Sequence, residues 1–173
     1  MRWLTRAGEH AQTLHERSFC HLWLPHVQLD ELRTRLHSQT QVQWLWLAID
    51  PHTKLLPVLQ LSPRTQNMAH AVIHSLRQML APGCLPLFTS DGLNLYFSAL
   101  TAHFGHWREV WRGGRLALRW QVAAGLISGQ VKKSYRRRKL VCVSHVMRLG
   151  TEDALTAGLQ GMGFVFEVEH GFY

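Results

Sequence analysis

Two acidic residues stand in short apolar stretches, where an ionised side chain needs a specific reason. Asp30 lies in WLPHVQLDEL, and Asp91 ends the apolar run CLPLFTS, with Gly92 opening a turn after it. A carboxylate at the end of a buried strand loses hydration unless a cation or hydrogen-bond donors replace the water. Asp30 and Asp91 are therefore candidate ligands for one or two Mg²⁺ ions, which prefer carboxylate oxygens and serve phosphoryl transfer. The alternative for Asp91 is a plain turn or a cap of the following helix.

A second group of residues could bind the phosphates of a nucleic acid. The run KKSYRRRK, residues 132–139, holds six cations: Lys132, Lys133, Arg136, Arg137, Arg138 and Lys139. Such a run can neutralise several phosphates and bind without reading sequence. A solvated basic loop is the alternative. The formal charge of +8 and the pI near 10.1 favour a polyanionic partner, with nucleic acid ahead of an anionic membrane.

These residues depend on strands and helices that hydrophobic periodicity predicts. We expect a strand from His26 to about Arg33, a strand over 42–50 ending in the turn DPHT, and its antiparallel partner over 54–62, where Pro57 favours the sheet edge. Asp50 fits the turn as an Asx residue. A helix over 65–80, a strand over 84–90 and a helix from Leu93 closed by Gly105 follow. The fold class is α/β, with a three-stranded antiparallel meander, a fourth strand beside the first and flanking helices.

The part of the chain beyond residue 107 gives weaker signals. A Gly-Gly break interrupts REVWRGGRLALRW, residues 139–149 alternate like a strand, and Thr151 is the expected N-cap of a short helix. Core packing is the preferred interpretation of Trp107, Trp111 and Trp120, with base stacking as the alternative.

Composition also limits where the protein works. No apolar run reaches the roughly 20 residues of a membrane span, so no membrane partner is expected. The three cysteines are far apart, which argues against a disulfide framework and for a reducing compartment. We therefore expect a cytoplasmic location.

Three segments in order, WLPHVQLDELRTRL, VQWLWLAIDPHTKLLPVLQLSPRT and CLPLFTSDGLNLY, resemble the catalytic core of bacterial insertion-sequence transposases of the DDE type. The resemblance implies an RNase H-like fold over residues 20–150. It also implies Asp30 and Asp91 as the first two catalytic acids, Mg²⁺ or Mn²⁺ as cofactor, and DNA transposition by strand cleavage and joining. Residues 1–19 resemble the end of a helix-turn-helix DNA-binding region, and we expect a short helix and an aberrant tail over 151–173. DNA is the implied partner, and an intact relative is expected to form a homo-oligomer.

The third acid of that pattern is not evident. The family places a Glu on a late helix, and the weak candidates here are Glu152 and Glu167. The helix dipole accounts for Glu152 and Asp153 in the first turn of a helix. We therefore expect a chain truncated at both ends, defective in catalysis, that retains nucleic-acid binding. The alternatives are a basic nucleic-acid-binding domain without enzymatic activity and an unrelated metal-dependent nuclease using Glu152 or Asp153.

Overall fold

The computed structural model describes residues 2–34, 42–137 and 139–161. The helices are α1 (Arg2–Ser18), α2 (Gln66–Met79), α3 (Leu95–His103) and α4 (Glu152–Gly161). The strands are β1 (His26–Thr34), β2 (Gln43–Ile49), β3 (Val58–Ser62), β4 (Leu87–Ser90), β5 (Gly105–Arg112), β6 (Arg115–Val122), β7 (Ile127–Arg136) and β8 (Lys139–Leu149). No helix within these ranges is both long enough and apolar enough to cross a membrane.

The main sheet has six strands in the order β3-β2-β1-β4-β7-β8. Strands β1, β2 and β3 form the expected antiparallel meander, and β4 lies parallel to β1. Strand β7 continues the sheet parallel to β4, and β8 closes it antiparallel to β7. The structure thus confirms a mixed α/β sheet with the fourth strand beside the first and the Pro57 segment at an edge.

Helices pack on both faces of this sheet because successive residues of a strand point to opposite sides. Phe88 belongs to the larger core beneath α2 and α3, where Trp46, Ile73 and Leu100 are buried. Its neighbour Leu87 packs on the other face in a smaller cluster, which is completed by residues of α4, β7 and β8: Leu155, Leu159, Ile127 and Met147. The acidic positions therefore lie where two central strands, β1 and β4, stop pairing, in a sheet that has helices on both faces.

Three helix boundaries test the signals that predicted them. Thr65 caps α2 by accepting a hydrogen bond from the Met68 amide, and Thr151 accepts one from the Ala154 amide at the start of α4, as expected. The predicted end of α3 is confirmed in position, because the helix ends at His103, but Gly105 does not cap it. Phe104, with φ of −112°, is its C-cap, and Gly105 begins β5 instead of closing the helix.

Strands β5 and β6 form a separate two-stranded sheet, which we call the ribbon (residues 105–122). Gly113 and Gly114 make its turn with φ of 56° and 77°, the left-handed values that a two-residue hairpin turn requires. The expectation of core packing for three tryptophans is wrong, because Trp107 is 64% exposed, Trp111 74% and Trp120 40%. These apolar residues, which suggest a buried core in the sequence, instead lie on an exposed hairpin.

The basic run is a strand rather than a loop over most of its length. Residues 132–136 belong to β7, Arg137 lies in the turn with φ of 49°, and Lys139 begins β8. Arg138 lies outside the described residues. The loop alternative is therefore wrong for residues 132–136, because these residues pair with β8.

Candidate metal site between β1 and the end of β4

Register brings the two predicted acids together. The parallel pairing of β1 with β4 ends at Leu29 opposite Ser90, so Asp30 and Asp91 are the next residues of the two adjacent chain segments. Neighbouring strands lie about 4.8 Å apart, which places the two carboxylates within reach of one cation. Ligand oxygens of Asp30, Glu31 and Asp91 all lie within 4.8 Å of one another.

Glu31 is the member of this cluster that sequence reasoning missed. Alternation along β1 assigns Glu31 to the face opposite Asp30, toward the larger core. Strand β4 ends at Ser90, however, so at Glu31 the strand β1 has no paired neighbour on the β4 side. Glu31 can therefore lie close to Asp91 although it points away from Asp30. The available signal was the D-E pair itself, but its meaning depends on where β4 ends.

The environment of Glu31 is unusual for a structural acid. Its side chain has 0% exposure, and its Oε1 accepts a hydrogen bond of 3.0 Å from Arg64, whose guanidinium lies 4.5 Å from the Trp44 ring centroid. Among the described residues its Oε2 is buried with no hydrogen-bond partner. Burial raises the pKa of Glu31, the Arg64 hydrogen bond lowers it, and the charges of Asp91 and Asp30 raise it. A buried, unpartnered carboxylate oxygen among other carboxylates is a position that a cation would satisfy.

Asp30 and Asp91 are held by local hydrogen bonds. Asp30 Oδ1 accepts from the Glu31 amide at 2.8 Å, and Asp91 Oδ1 accepts from the Leu93 amide at 3.2 Å. The turn interpretation of Asp91 therefore accounts for one of its carboxylate oxygens and not for the other. No ion pair to either carboxylate forms within the part of the chain that the structure describes. The cluster thus carries more negative charge than its protein surroundings compensate.

The loop that carries Asp91 is fixed to β7 and β8. Gln130 donates a hydrogen bond of 2.8 Å to the Leu93 carbonyl and accepts one of 2.8 Å from Arg148. Arg148 also donates to the Asn94 side chain. These bonds hold the strand-to-helix connection in place, so the position of Asp91 follows from side chains well outside the loop.

A pocket of about 770 Å³ opens beside the acids. Its lining includes Asp30, Asp91, the Thr89–Ser90 strand end, Lys132, Lys133 and Leu159 of α4. The stem of Lys132 lies against Gly92, with its Cγ 3.6 Å from the point where a Cβ at Gly92 would lie. The first two cations of the basic run therefore lie at the acidic site, whereas Arg136, Arg137 and Lys139 lie toward the β7–β8 turn.

A buried histidine forms part of the same pocket. His26, at the start of β1, is 4% exposed and its Nε2 lies 2.7 Å from Thr89 Oγ1 on β4. Burial lowers the pKa of His26 to about 4, although the charge of Asp50 acts in the opposite direction. At neutral pH His26 is therefore uncharged and joins β1 to β4 by a side-chain hydrogen bond.

The remaining acids are placed elsewhere or fall outside the description. Asp50 makes the predicted turn, its carboxylate accepting from the His52 amide at 3.1 Å and from Thr53 Oγ1 at 2.7 Å. Burial would raise the pKa of Asp50, but these hydrogen bonds hold it below its ordinary value. Glu152 begins α4 near the start of β7, at the opposite end of the parallel strands from Asp91. Glu167 lies outside the described residues.

A second cluster outside the acidic site also escaped sequence reasoning. His70 and His74, spaced as H-x-x-x-H on α2, lie with their ring centroids 5.5 and 5.4 Å from that of His103 on α3. Burial lowers the pKa of His103, and the neighbouring histidines lower it further. The H-x-x-x-H spacing was the available signal. Within the described ranges, however, the acids at β1 and β4 are the group of three or more side chains whose ligand atoms lie close enough to share an ion.

Comparisons with protein-family models, with curated proteins and with solved structures found no match. Three carboxylates offer only oxygen donors, which suits a hard divalent cation such as Mg²⁺ or Mn²⁺ rather than a thiolate- or imidazole-preferring metal.

Proposed function

We propose that this chain is a transposase-like protein with an RNase H-like core, acting on DNA through a divalent-metal site at Asp30 and Asp91. The observation that carries the proposal is the register. The two acids follow directly after the last paired residues of parallel β1 and β4, and the buried Glu31 Oε2 next to them has no partner among the described residues. The antiparallel meander followed by a parallel fourth strand supports the RNase H-like assignment.

The site residues divide the work between metal and substrate. Asp30 and Asp91 would hold the cation, with Glu31 Oε2 beside them. A bound Mg²⁺ or Mn²⁺ supplies activation of a water or 3′-hydroxyl and stabilisation of the leaving oxygen. Lys132 and Lys133 line the same pocket and attract the phosphate backbone toward the acids. Arg64 neutralises part of the charge of Glu31 from the other side.

We further propose that cleavage and joining are defective. Helix α4 carries its acids, Glu152 and Asp153, in its first turn, near the start of β7 and away from Asp91. Leu159 is the α4 residue that lines the pocket. An apolar side chain at that point cannot supply the acid that the resemblance places on a late helix, and Glu31, which Arg64 holds, would be a third carboxylate in a different place. The proposed chain therefore binds metal and DNA and turns over poorly.

Metal binding is tested by titrating Mn²⁺ into wild type and into Asp30→Asn, Asp91→Asn and Asp153→Asn, with binding heat and thermal stabilisation as readouts. We expect Asp30→Asn and Asp91→Asn to lose binding at least about tenfold, because each removes a charged ligand. Asp153→Asn is the matched control, since it removes one carboxylate away from Asp91 and should bind like wild type. Equal Mn²⁺ binding by all four proteins would overturn the metal site.

Catalytic competence is tested by Mn²⁺-dependent nicking of supercoiled DNA. We expect wild type to nick no faster than Asp91→Asn. Metal-dependent nicking that Asp30→Asn abolishes would contradict the defect while supporting the site.

The second candidate function is a basic nucleic-acid-binding domain without chemistry. The hydrogen bond from the Leu93 amide to Asp91 Oδ1 favours it, because it gives Asp91 a turn role that needs no metal. DNA binding that persists together with an absence of Mn²⁺ binding would select this candidate.

A further inference from the structure

The ribbon projects from the domain as an arm with its own anchoring contacts. It leaves the six-stranded sheet between α3 and β7, and its base is fixed where Trp120 Nε1 donates a hydrogen bond of 2.8 Å to the Thr101 carbonyl and the Ala123 amide donates one of 3.0 Å to the Phe104 carbonyl. A Cβ at Gly105 would lie 2.6 Å from the Trp120 ring, so only glycine allows the indole to pack there. The base is therefore fixed while the rest of the ribbon is exposed.

Strand alternation divides the ribbon into two unlike faces. One face presents apolar cross-strand pairs, Trp107 with Trp120 and Trp111 with Leu116, and also pairs Glu109 with Leu118. The opposite face, which we call the arginine face, presents Arg108 opposite Arg119 and Arg112 opposite Arg115, separated by Val110 and Ala117. All four arginines are exposed.

The arrangement of the arginine face is costly without an anionic partner. Like charges directly opposite each other on antiparallel strands destabilise the pair, and this face has two such pairs. Arg108 donates a hydrogen bond of 3.2 Å to Gln121, but none of the four arginines forms an ion pair within the described residues. The tight turn and the apolar pairs of the other face, with the Trp107 and Trp120 centroids 5.5 Å apart, hold the charges together. A polyanion would convert this repulsion into binding.

We propose that the arginine face of the ribbon binds duplex DNA, with the two strands entering the major groove and the guanidinium groups contacting phosphates and base edges. The major groove of B-DNA is about 12 Å wide and admits a two-stranded β-ribbon. Arg108 and Arg112 are four positions apart on an extended strand, roughly 13 Å, and each has an arginine about 5 Å across the ribbon. The four charges thus cover a strip that spans about four base pairs.

This inference rests on the proposed function for its substrate class and concerns a different surface. The acidic pocket would perform metal binding near the scissile strand, whereas the ribbon would hold duplex DNA at a second place. Asp30→Asn should remove Mn²⁺ binding and leave the salt dependence of DNA binding unchanged, while ribbon variants should do the reverse. Failure of one proposal is therefore distinguishable from failure of the other.

The test measures the affinity for a duplex of about two helical turns by fluorescence anisotropy between about 50 and 200 mM salt. The variant R108Q/R112Q/R115Q/R119Q is expected to weaken binding at least about tenfold. It should also reduce the slope of log K against log salt by up to about 3.6, the value if all four arginines contact phosphates, because each phosphate that is no longer neutralised lowers the slope by about 0.9. The tip variant R112Q/R115Q should reduce the slope by up to about 1.8.

A matched control separates the arginine face from net charge. R33Q/K54Q removes two exposed cations outside the ribbon, as R112Q/R115Q does within it, and should leave the slope close to that of wild type. Thermal unfolding of R33Q/K54Q should be close to that of wild type, because both side chains are exposed. The ribbon variants should unfold at no lower temperature than wild type, because they remove the like-charge repulsion. Equal slopes for R112Q/R115Q and R33Q/K54Q, or no change in the fourfold variant, would overturn the proposal.

Two further outcomes would also overturn it. Double-stranded RNA has a deep, narrow major groove that excludes a ribbon, so duplex RNA of the same length should bind more weakly, and equal affinity would refute groove insertion. Light scattering of L116S/L118S tests the apolar face. Conversion of a dimer to a monomer, with DNA affinity unaffected by the arginine substitutions, would identify the ribbon as a protein-docking arm instead.

Discussion

Replacing His26 with glutamine should flatten the pH dependence of stability. Burial lowers the pKa of His26 to about 4, against 6.5 for an exposed histidine. Between these two values the unfolded chain takes up a proton that the folded chain does not. Lowering the pH therefore favours the unfolded state, and the stability conferred by the neutral ring is complete above about pH 6.5 and decreases as the pH falls toward 4.

The magnitude follows from the size of the pKa difference. The difference corresponds to at most about 3 kcal/mol, and water at the mouth of the pocket that His26 lines reduces the expected effect to about 2 kcal/mol. The assay is urea unfolding at several pH values from 8 to about 4.5, comparing wild type with His26→Gln. Other titrating groups are common to both proteins, so the difference between their curves isolates His26.

His10→Gln is the matched control because His10 lies exposed on α1. Its curve should run parallel to that of wild type. His26→Gln is expected to be less stable at pH 8, where it loses the hydrogen bond to Thr89, and to lose about 2 kcal/mol less than wild type on acidification. Parallel curves for wild type and His26→Gln would refute the assignment of a buried neutral ring.

Three other substitutions should change the free energy of unfolding measured in urea. Arg64→Gln should cost about 2 kcal/mol at pH 8 by leaving the Glu31 carboxylate buried and unpaired, and the additional change Glu31→Gln should recover most of it; a simple sum of the two costs would contradict the pairing. Asp50→Ala should cost about 1–3 kcal/mol, because it removes the acceptor for the His52 amide and the Thr53 hydroxyl. A smaller loss would show that the carboxylate does not stabilise the turn. Gly105→Ala should cost about 1–3 kcal/mol because the new methyl collides with the Trp120 ring, and an unchanged stability would show that the indole relocates freely.

The meander and the Asp30–Asp91 pairing were predictable because their signals are local. The apolar alternation of β1 and the run VQWLWLAI identify buried strands without knowledge of their neighbours, and placing the fourth strand beside the first then brings Asp91 next to Asp30. The role of Glu31 was not predictable. Its proximity to the other acids depends on β4 ending one residue before Asp91, which no local pattern in β1 reports.

The exposure of the ribbon was also not predictable from the sequence. Its Gly-Gly break was recognisable as a turn, but three tryptophans and two leucines in eighteen residues look like core by composition. Whether a strand's apolar face is buried depends on what packs against it, and that is a property of the tertiary fold. The same limit applies to the basic run, whose strand character depends on pairing with β8.

The pairing of β1 with β4 also determines when the proposed metal site can form during folding. Leu29 and Ser90 lie roughly 60 positions apart in the chain, so their contact closes a long loop and is among the slowest to form. The ribbon joins neighbouring strands through a two-residue turn and has a far lower contact order. Cation binding would therefore indicate that β1 and β4 have paired. The arginine face can form earlier, before Asp30 and Asp91 are close together.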